Sequence, residues 1–539
     1  MGKLRLFSHI LSLLLLTVGG VSCNQHSTEN LDHLVFRYNE NANISSLDPA
    51  FSRNLPNIWP SLQLYNGLVQ FDEHLNLQPD IAKRWKFNDS TLTYTFYLRE
   101  DVFFHKDSRF GKDSTRIVTA DDFVYSFDRL TDPLVASPGS WVLQQVKQYK
   151  AIDTYTFEIQ LKKNFPPFLG LMAMPYCSVV PKEIVESKAI LFRKKPIGTG
   201  PFAFKLWEEN VKLVLNKNPL YFEKDAKGEQ LPYLEAISIR FLPEKQNELL
   251  HFLQGSIDMI SGLDASYKDE LLTSDGKLQE SYKDKINMLT GPYLNTEYLG
   301  FQMETPRQEI ASKKLREAIN IGFDREVMIK HLRNGMGVPA VNGFIPEGLA
   351  GANNTNKYVY NRKRARELVQ EFIDETGILT PQLRLSTTAE YLDICEYIQR
   401  QLELIGIELK VDVLPPSTLL QMRAVGDLEF FRSSWIADYP DAESYLSLFY
   451  SLNHTPNGPN YSYFTHQVYD SLYHSSMEIQ DIEKRSHLYR QMDSIIVEEM
   501  ATVPLFYDKA IRFIQPEIQG MKMNPQNFLY LKKVYKTPK

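Results

Sequence analysis

Leu383-Arg384-Leu385, then a run carrying Leu392, Cys395, Ile398 and Leu402, a stop at Gly406, then Ile407-Glu408-Leu409-Lys410-Val411-Asp412-Val413: this stretch decides the fold class. Its last segment alternates apolar and charged residues, the period-two pattern of a strand with one buried face. The middle run repeats its apolar residues every three or four positions, which gathers them on one helix face. A strand, helix and strand of this length imply parallel neighbours, so the class is α/β.

Downstream, Phe430 and Phe431 end another apolar strand. Arg432-Ser433-Ser434-Trp435-Ile436-Ala437-Asp438-Tyr439-Pro440-Asp441 follows and reads as a loop. Open α/β sheets bind ligands beyond the carboxyl ends of their strands. An arginine, two large aromatics and a carboxylate there can hold a small charged organic ligand. Blander readings stand beside this one. Asp438 also suits a turn before Pro440, and Trp435 also suits core packing. Asp441 reads as a helix cap for 444–448.

Upstream, 34–38 reads as a strand, and Ser46-Leu47-Asp48-Pro49 as a turn, since a residue before proline avoids helix. Helical spacing covers 58–68 and stops at Asn66-Gly67. Residues 85–105 and 150–161 alternate as hairpin strands. Thr119 is placed to cap a helix whose first turn holds Asp121 and Asp122. Gly198-Thr199-Gly200 lacks a following Lys-Ser/Thr and leads into a strand, which rejects a phosphate loop and leaves a tight turn. Helices are expected at 246–253, 312–323 and 361–372, with Asp324 capping the helix after the second. The tail reads as a helix with Tyr489, Met492 and Ile496 on one face, then two strands, 503–506 and 511–514.

Lys3 and Arg5, a short apolar core from Ile10 to Val18, and small residues before Cys23 have the anatomy of a secretory signal. The core is too short to span a bilayer, and no later stretch reaches the ~18 apolar residues of a span. Cys23 is placed as the lipidated N-terminus of a lipoprotein; an ordinary signal peptide is the alternative. Roughly 500 residues remain, room for about three domains at ~150 residues each. The composition is globular, with 43% hydrophobic and 12% aromatic residues, and a net charge of −6 gives no reason to expect nucleic acid. Cys177 and Cys395 sit in apolar segments and read as buried free thiols. No CxxC, HExxH, nucleophile elbow or triad spacing occurs, so no metal, cofactor or catalytic residue is assigned.

Nine blocks in register resemble one family. They are Ser46-Leu47-Asp48-Pro49, Leu64-Tyr65-Asn66-Gly67-Leu68-Val69, Tyr94-Thr95-Phe96-Tyr97-Leu98-Arg99, Thr119-Ala120-Asp121-Asp122-Phe123 and Gly198-Thr199-Gly200-Pro201-Phe202. Asn218-Pro219-Leu220-Tyr221, Leu315-Arg316-Glu317-Ala318-Ile319, Phe323-Asp324-Arg325 and Trp435-Ile436-Ala437-Asp438-Tyr439 complete them. The chain from about 34 to 520 thereby resembles the extracytoplasmic solute-binding proteins of peptide ABC importers, the oligopeptide/dipeptide-binding family 5.

The resemblance implies a periplasmic-binding-protein-like type II α/β fold, with two lobes joined by hinge strands and an extra appended domain. After a signal peptide at 1–23, lobe I would comprise 34–67, 197–290 and 502–539. The appended domain would be 68–196 and the other lobe 291–501. The family's amine-binding aspartate falls on Asp438. One backbone-pairing edge falls on Arg53, Asn54 and Leu55, the other on Arg432, Ser433, Ser434 and Trp435. Arg432 and Arg423 fall where the family has arginines able to meet a peptide carboxylate. Arg53-Asn54 departs from the smaller or acidic residues common there, which alters pocket width or charge. The expected function is capture of peptides by lobe closure, without enzymatic chemistry, and delivery to ABC permease subunits. The expected state is a monomer tethered to a membrane by the Cys23 lipid. The alternatives are another solute on the same scaffold, an oligosaccharide or a nickel chelate, or, from a different class, a secreted hydrolase.

Overall fold

The computed structural model describes residues 34–538 apart from 188–190, 265 and 355. The expected signal segment and Cys23 lie outside the described residues.

An 11-stranded mixed sheet runs through both lobes. From one edge its order is Glu408–Val413, Gln382–Thr387, Phe430–Ile436, Asn287–Phe301, Thr502–Ile514, Met259–Ser261, Val35–Asn39, Ala236–Arg240, Lys212–Lys217 and Phe202–Glu208. Val338–Pro339 attaches to Thr502–Ile514 off this path. The two strands of the opening β-α-β unit are parallel, with Leu383 opposite Leu409 and Leu385 opposite Val411. Helix Leu392–Glu403 covers them, burying Cys395, Ile398 and Leu402. Helical spacing thus buries Cys395, Ile398 and Leu402, while the alternation buries Leu409, leaves Val411 half-buried and runs out at the exposed Val413.

Two long strands carry the sheet from lobe to lobe. Asn287–Phe301 and Thr502–Ile514 pair antiparallel, from Leu289 opposite Arg512 at one end to Leu299 opposite Val503 at the other. The register slips between Pro292 and Thr296, opposite Lys509 and Tyr507. Four steps on the first strand face two on the second, and extra residues of this kind bend a strand and increase its twist. The C-terminal end of Thr502–Ile514 pairs with Met259–Ser261, and the opposite end of this strand pair packs helices Lys313–Ile321 and Arg325–Leu332. The two tail strands expected at 503–506 and 511–514 are therefore one. Asp508 and Lys509 interrupt its apolar run, but pairing with Asn287–Phe301 continues on both sides of them, and Arg333 pairs with Asp508 at 3.0 Å. The expected lobe boundaries at 290/291 and 501/502 fall within one of these strands and at the start of the other.

The segment expected as an appended domain forms a four-stranded antiparallel sheet, Ala82–Asn88, Thr93–Leu98, Thr156–Leu161 and Val146–Asp153, covered by helix Ala120–Thr131. Asp122 accepts from the backbone N–H of Thr119 at 2.9 Å and closes that helix's first turn. Phe96, Phe123 and Phe157 belong to the same core as Phe36, Ile237 and Ile239 of the large sheet. Gly198 and Gly200 lie against the end of helix Leu55–Leu64. A Cβ on Gly198 would fall 2.0 Å from the Leu64 carbonyl, and one on Gly200 2.4 Å from that of Gln63. Close backbone approach explains these glycines. Cys177 and Cys395 are buried and free.

Candidate functional site

A cavity of about 770 Å³ opens between the lobes. Residues 52–55 and Ile58 form one wall, and Ile436, Ala437 and Asp438 another. Trp141, Met174, Tyr176, Tyr293 and Phe528 contribute apolar and aromatic surface. The volume lies within the ~300–1,000 Å³ typical of small-ligand sites.

The first wall is held rigidly. Asp48, ahead of Pro49, accepts from the Ala50 N–H at 3.1 Å and pairs with Arg129 at 2.6 Å. Asn57 donates to Ser45 Oγ at 2.9 Å and to the Phe51 carbonyl at 3.2 Å. Ser52 and Ser61 hydroxyls lie 2.7 Å apart. Arg53 emerges from this locked turn with its side chain exposed. Asn54 is the N-cap of helix Leu55–Leu64 and accepts from the Asn57 N–H.

The second wall is held by its neighbours in sequence. Ala437 donates its N–H to the Leu294 carbonyl at 2.9 Å and packs in the second lobe's core. Tyr439 instead packs in the first core, beside Gly170, where a Cβ would stand 3.4 Å from the Tyr439 Cβ. Tyr439 also donates to the buried Glu443 carboxylate. Asp441 accepts from the Glu443 N–H at 3.0 Å and pairs with Arg485 at 2.8 Å. Asp438 therefore sits on a backbone clamped on both sides.

Among the described residues the Asp438 carboxylate has no hydrogen-bond or ion-pair partner. Its side chain is open to the cavity water yet surrounded by protein, and this desolvation raises its pKa to about 6. Tyr176, in the same cavity, is pushed up to about 12 by burial and by Asp438, while Arg53 pulls it down. Both charges are thus within electrostatic reach of one hydroxyl.

The other expected site residues lie elsewhere. The strand does not end at Phe431 but continues to Ile436, because 430–436 pairs antiparallel with 295–301. Arg432 is thereby a strand residue, buried, paired with Glu297 and stacked 3.1 Å above the Tyr391 ring centroid. Burial pushes the Glu297 carboxyl up and Arg432 pulls it back. Arg423 donates to Ser433 Oγ and lies 4.4 Å from the Tyr461 ring centroid. Ser433 is buried and Ser434 half-buried. Trp435 packs against the second lobe's core and donates from Nε1 to Ser444 Oγ at 3.2 Å. None of these five lines the cavity, whereas Arg53, Asn54, Leu55 and Asp438 all do. Trp141, Tyr176, Tyr293 and Phe528 had no periodic or motif signal; only the aromatic character of Trp141 beside Pro138 and Gly139 marks a non-core position.

Two lobes share long strands, and a walled cavity lies between them, the architecture of a solute-binding protein. The description "Bacterial extracellular solute-binding proteins, family 5 Middle" matches residues 76–457, and the chain belongs to that family. It is 25% identical to the periplasmic oligopeptide-binding protein OppA of Salmonella typhimurium over 92% of this chain and 91% of that protein. It is also 25% identical to the probable deoxycholate-binding periplasmic protein YgiS of Escherichia coli, over 93% of each chain. The fold matches the periplasmic binding protein DppA of Helicobacter pylori in complex with the peptide STSA. That match has a TM-score of 0.75 at 24% identity and covers 94% of this chain and 98% of the other.

Proposed function

We propose that this protein captures peptides outside the cytoplasmic membrane and hands them to an ABC importer, tethered by a lipid on Cys23. The peptide's free α-amine meets Asp438, and its first residues lie along Arg53, Asn54 and Leu55. One observation carries this reading: a clamped, unpartnered carboxylate faces a cavity otherwise walled mostly by apolar and aromatic side chains. An ammonium sealed beside it by lobe closure supplies the missing partner. Strand-like pairing with peptide backbone tolerates many side chains. Arg432 and Arg423 bond Glu297 and Ser433 and stand outside the cavity lining. Relatives are named for both peptide and non-peptide cargo, so the experiment must separate them.

The test is capture from a mixed peptide library by the mature chain, read by mass spectrometry. Recovered peptides are then compared with their N-acetylated forms by calorimetric titration. Selective recovery of free-amine peptides is expected. Failure to retain any peptide overturns the proposal.

A further inference from the structure

Arg53 and Asp438 are the two charged side chains lining the cavity among the described residues, and they come from opposite walls. Neither has a hydrogen-bond or ion-pair partner there. Several buried charges of the molecule are matched by an opposite charge, Arg432 by Glu297, Arg485 by Asp441, Lys536 by Asp258 and Arg129 by Asp48, and the buried guanidinium groups of Arg316 and Arg325 are met by backbone carbonyls. A charge left unmatched in a site that closes must be compensated by what the site encloses. An ammonium at Asp438 leaves Arg53 without a counterion. Arg53 also stands at the start of helix Leu55–Leu64, whose dipole adds positive potential to the same wall.

We infer that Arg53 anchors a carboxylate of the ligand, so that the site selects short peptides bearing an acidic group close to the free amine. This rests on the peptide reading and narrows it. Arginine suits the task because its planar fork meets a carboxylate with two parallel hydrogen bonds. The carboxylate has two possible sources, a peptide's C-terminus or an acidic side chain, and both offer the same group to the guanidinium. Tyr176 lines the same cavity as both anchors.

Calorimetric titration of the mature chain with matched pairs tests this. The pairs are Ala-Phe against Ala-Phe-amide and Ala-Asp-amide against Ala-Asn-amide, with the same pairs extended by one N-terminal alanine. In at least one pair the acid is expected to bind about tenfold or more tightly, and the pair that shows the gap identifies the carboxylate's source. Arg53→Gln should close that gap, and Arg53→Lys should keep part of it; circular dichroism verifies that both variants are folded. A wild type indifferent to the acid in every pair, or a gap that survives in Arg53→Gln, overturns the inference. So does binding of longer library peptides with none of these short ones. If no free-amine peptide binds at all, the peptide reading falls and takes this inference with it.

Discussion

Arg432 and Asp438 belong to one short stretch of sequence, yet they live under opposite conditions. Arg432 lies in a strand, is 8% exposed, and is held by Glu297 and the face of Tyr391. Asp438 lies just beyond that strand, faces the cavity and meets no partner. Both are charged, and both are flanked by aromatic residues. The difference is whether the fold has already satisfied the charge. A satisfied charge specifies packing, and an unsatisfied one held in place by its neighbours is what the proposed amine would meet.

The largest effect should come from breaking the satisfied side. Arg432→Met strands the Glu297 carboxylate in the interior, and losing one partner of such a pair costs about 3–5 kcal/mol. Urea denaturation should show the midpoint falling accordingly, and adding Glu297→Gln should recover much of the loss. If Arg432→Met instead leaves the midpoint alone and abolishes peptide binding, Arg432 belongs with Asp438 as a ligand anchor and the contrast collapses.

The unsatisfied side should respond in the opposite way. Asp438→Asn removes no contact within the protein and relieves a desolvated charge, so the urea midpoint at neutral pH should hold or rise. Affinity for a free-amine peptide should fall by about 2–3 kcal/mol, the order lost when one partner of an enclosed charge pair is removed. The N-acetylated peptide should bind both forms equally weakly. A free-amine preference that persists in Asp438→Asn would remove the residue from the site.

A smaller effect is set by pH. Without ligand, Asp438 titrates at about 6 because desolvation disfavours its charge. An ammonium beside it favours the carboxylate, so its pKa drops on binding. Affinity is therefore full above about pH 7 and weakens by roughly tenfold per unit as pH falls below 6, until the bound-state pKa is reached. Stability runs the other way at this residue, because a raised carboxyl pKa favours the folded state only once the group is protonated. Glu40, Asp80 and Asp493 are raised by burial to about 7 but line other parts of the protein. Repeating the titrations with Asp438→Asn subtracts their contribution. A wild-type pH profile identical to that of the variant would discard the linkage.

Much of the fold was legible because it rests on local periodicity. The β-α-β unit, the caps at Asn361 and Asp324, and the buried thiols follow from residues near one another in the chain. The hinge strands were legible only in fragments, since Pro292, Asp508 and Lys509 look like interruptions when the partner strand is unknown. In the site, Asp438 and 53–55 were located by block resemblance and share one cavity. The pairing of Arg432 with Glu297 joins residues 135 positions apart, and nothing local announces it. Without that partner, a buried arginine and a ligand-reading arginine look alike. Trp141, Tyr176 and Tyr293 were hidden for a related reason, since aromatics in irregular segments carry no periodic signal.

The finest version of the contrast lies between adjacent residues of one wall. Asn54 lines the cavity, but its side chain is occupied in capping helix Leu55–Leu64 through the Asn57 N–H. Arg53 beside it has no such duty. Asn54→Ala should therefore destabilise the protein by about 1 kcal/mol, the usual loss for a removed N-cap. Arg53→Gln should leave the urea midpoint in place while changing which ligands are preferred. Equal midpoints in both variants would mean that the Asn54 side chain, like that of Arg53, is free for the ligand, and that this wall presents two polar groups to the peptide instead of one.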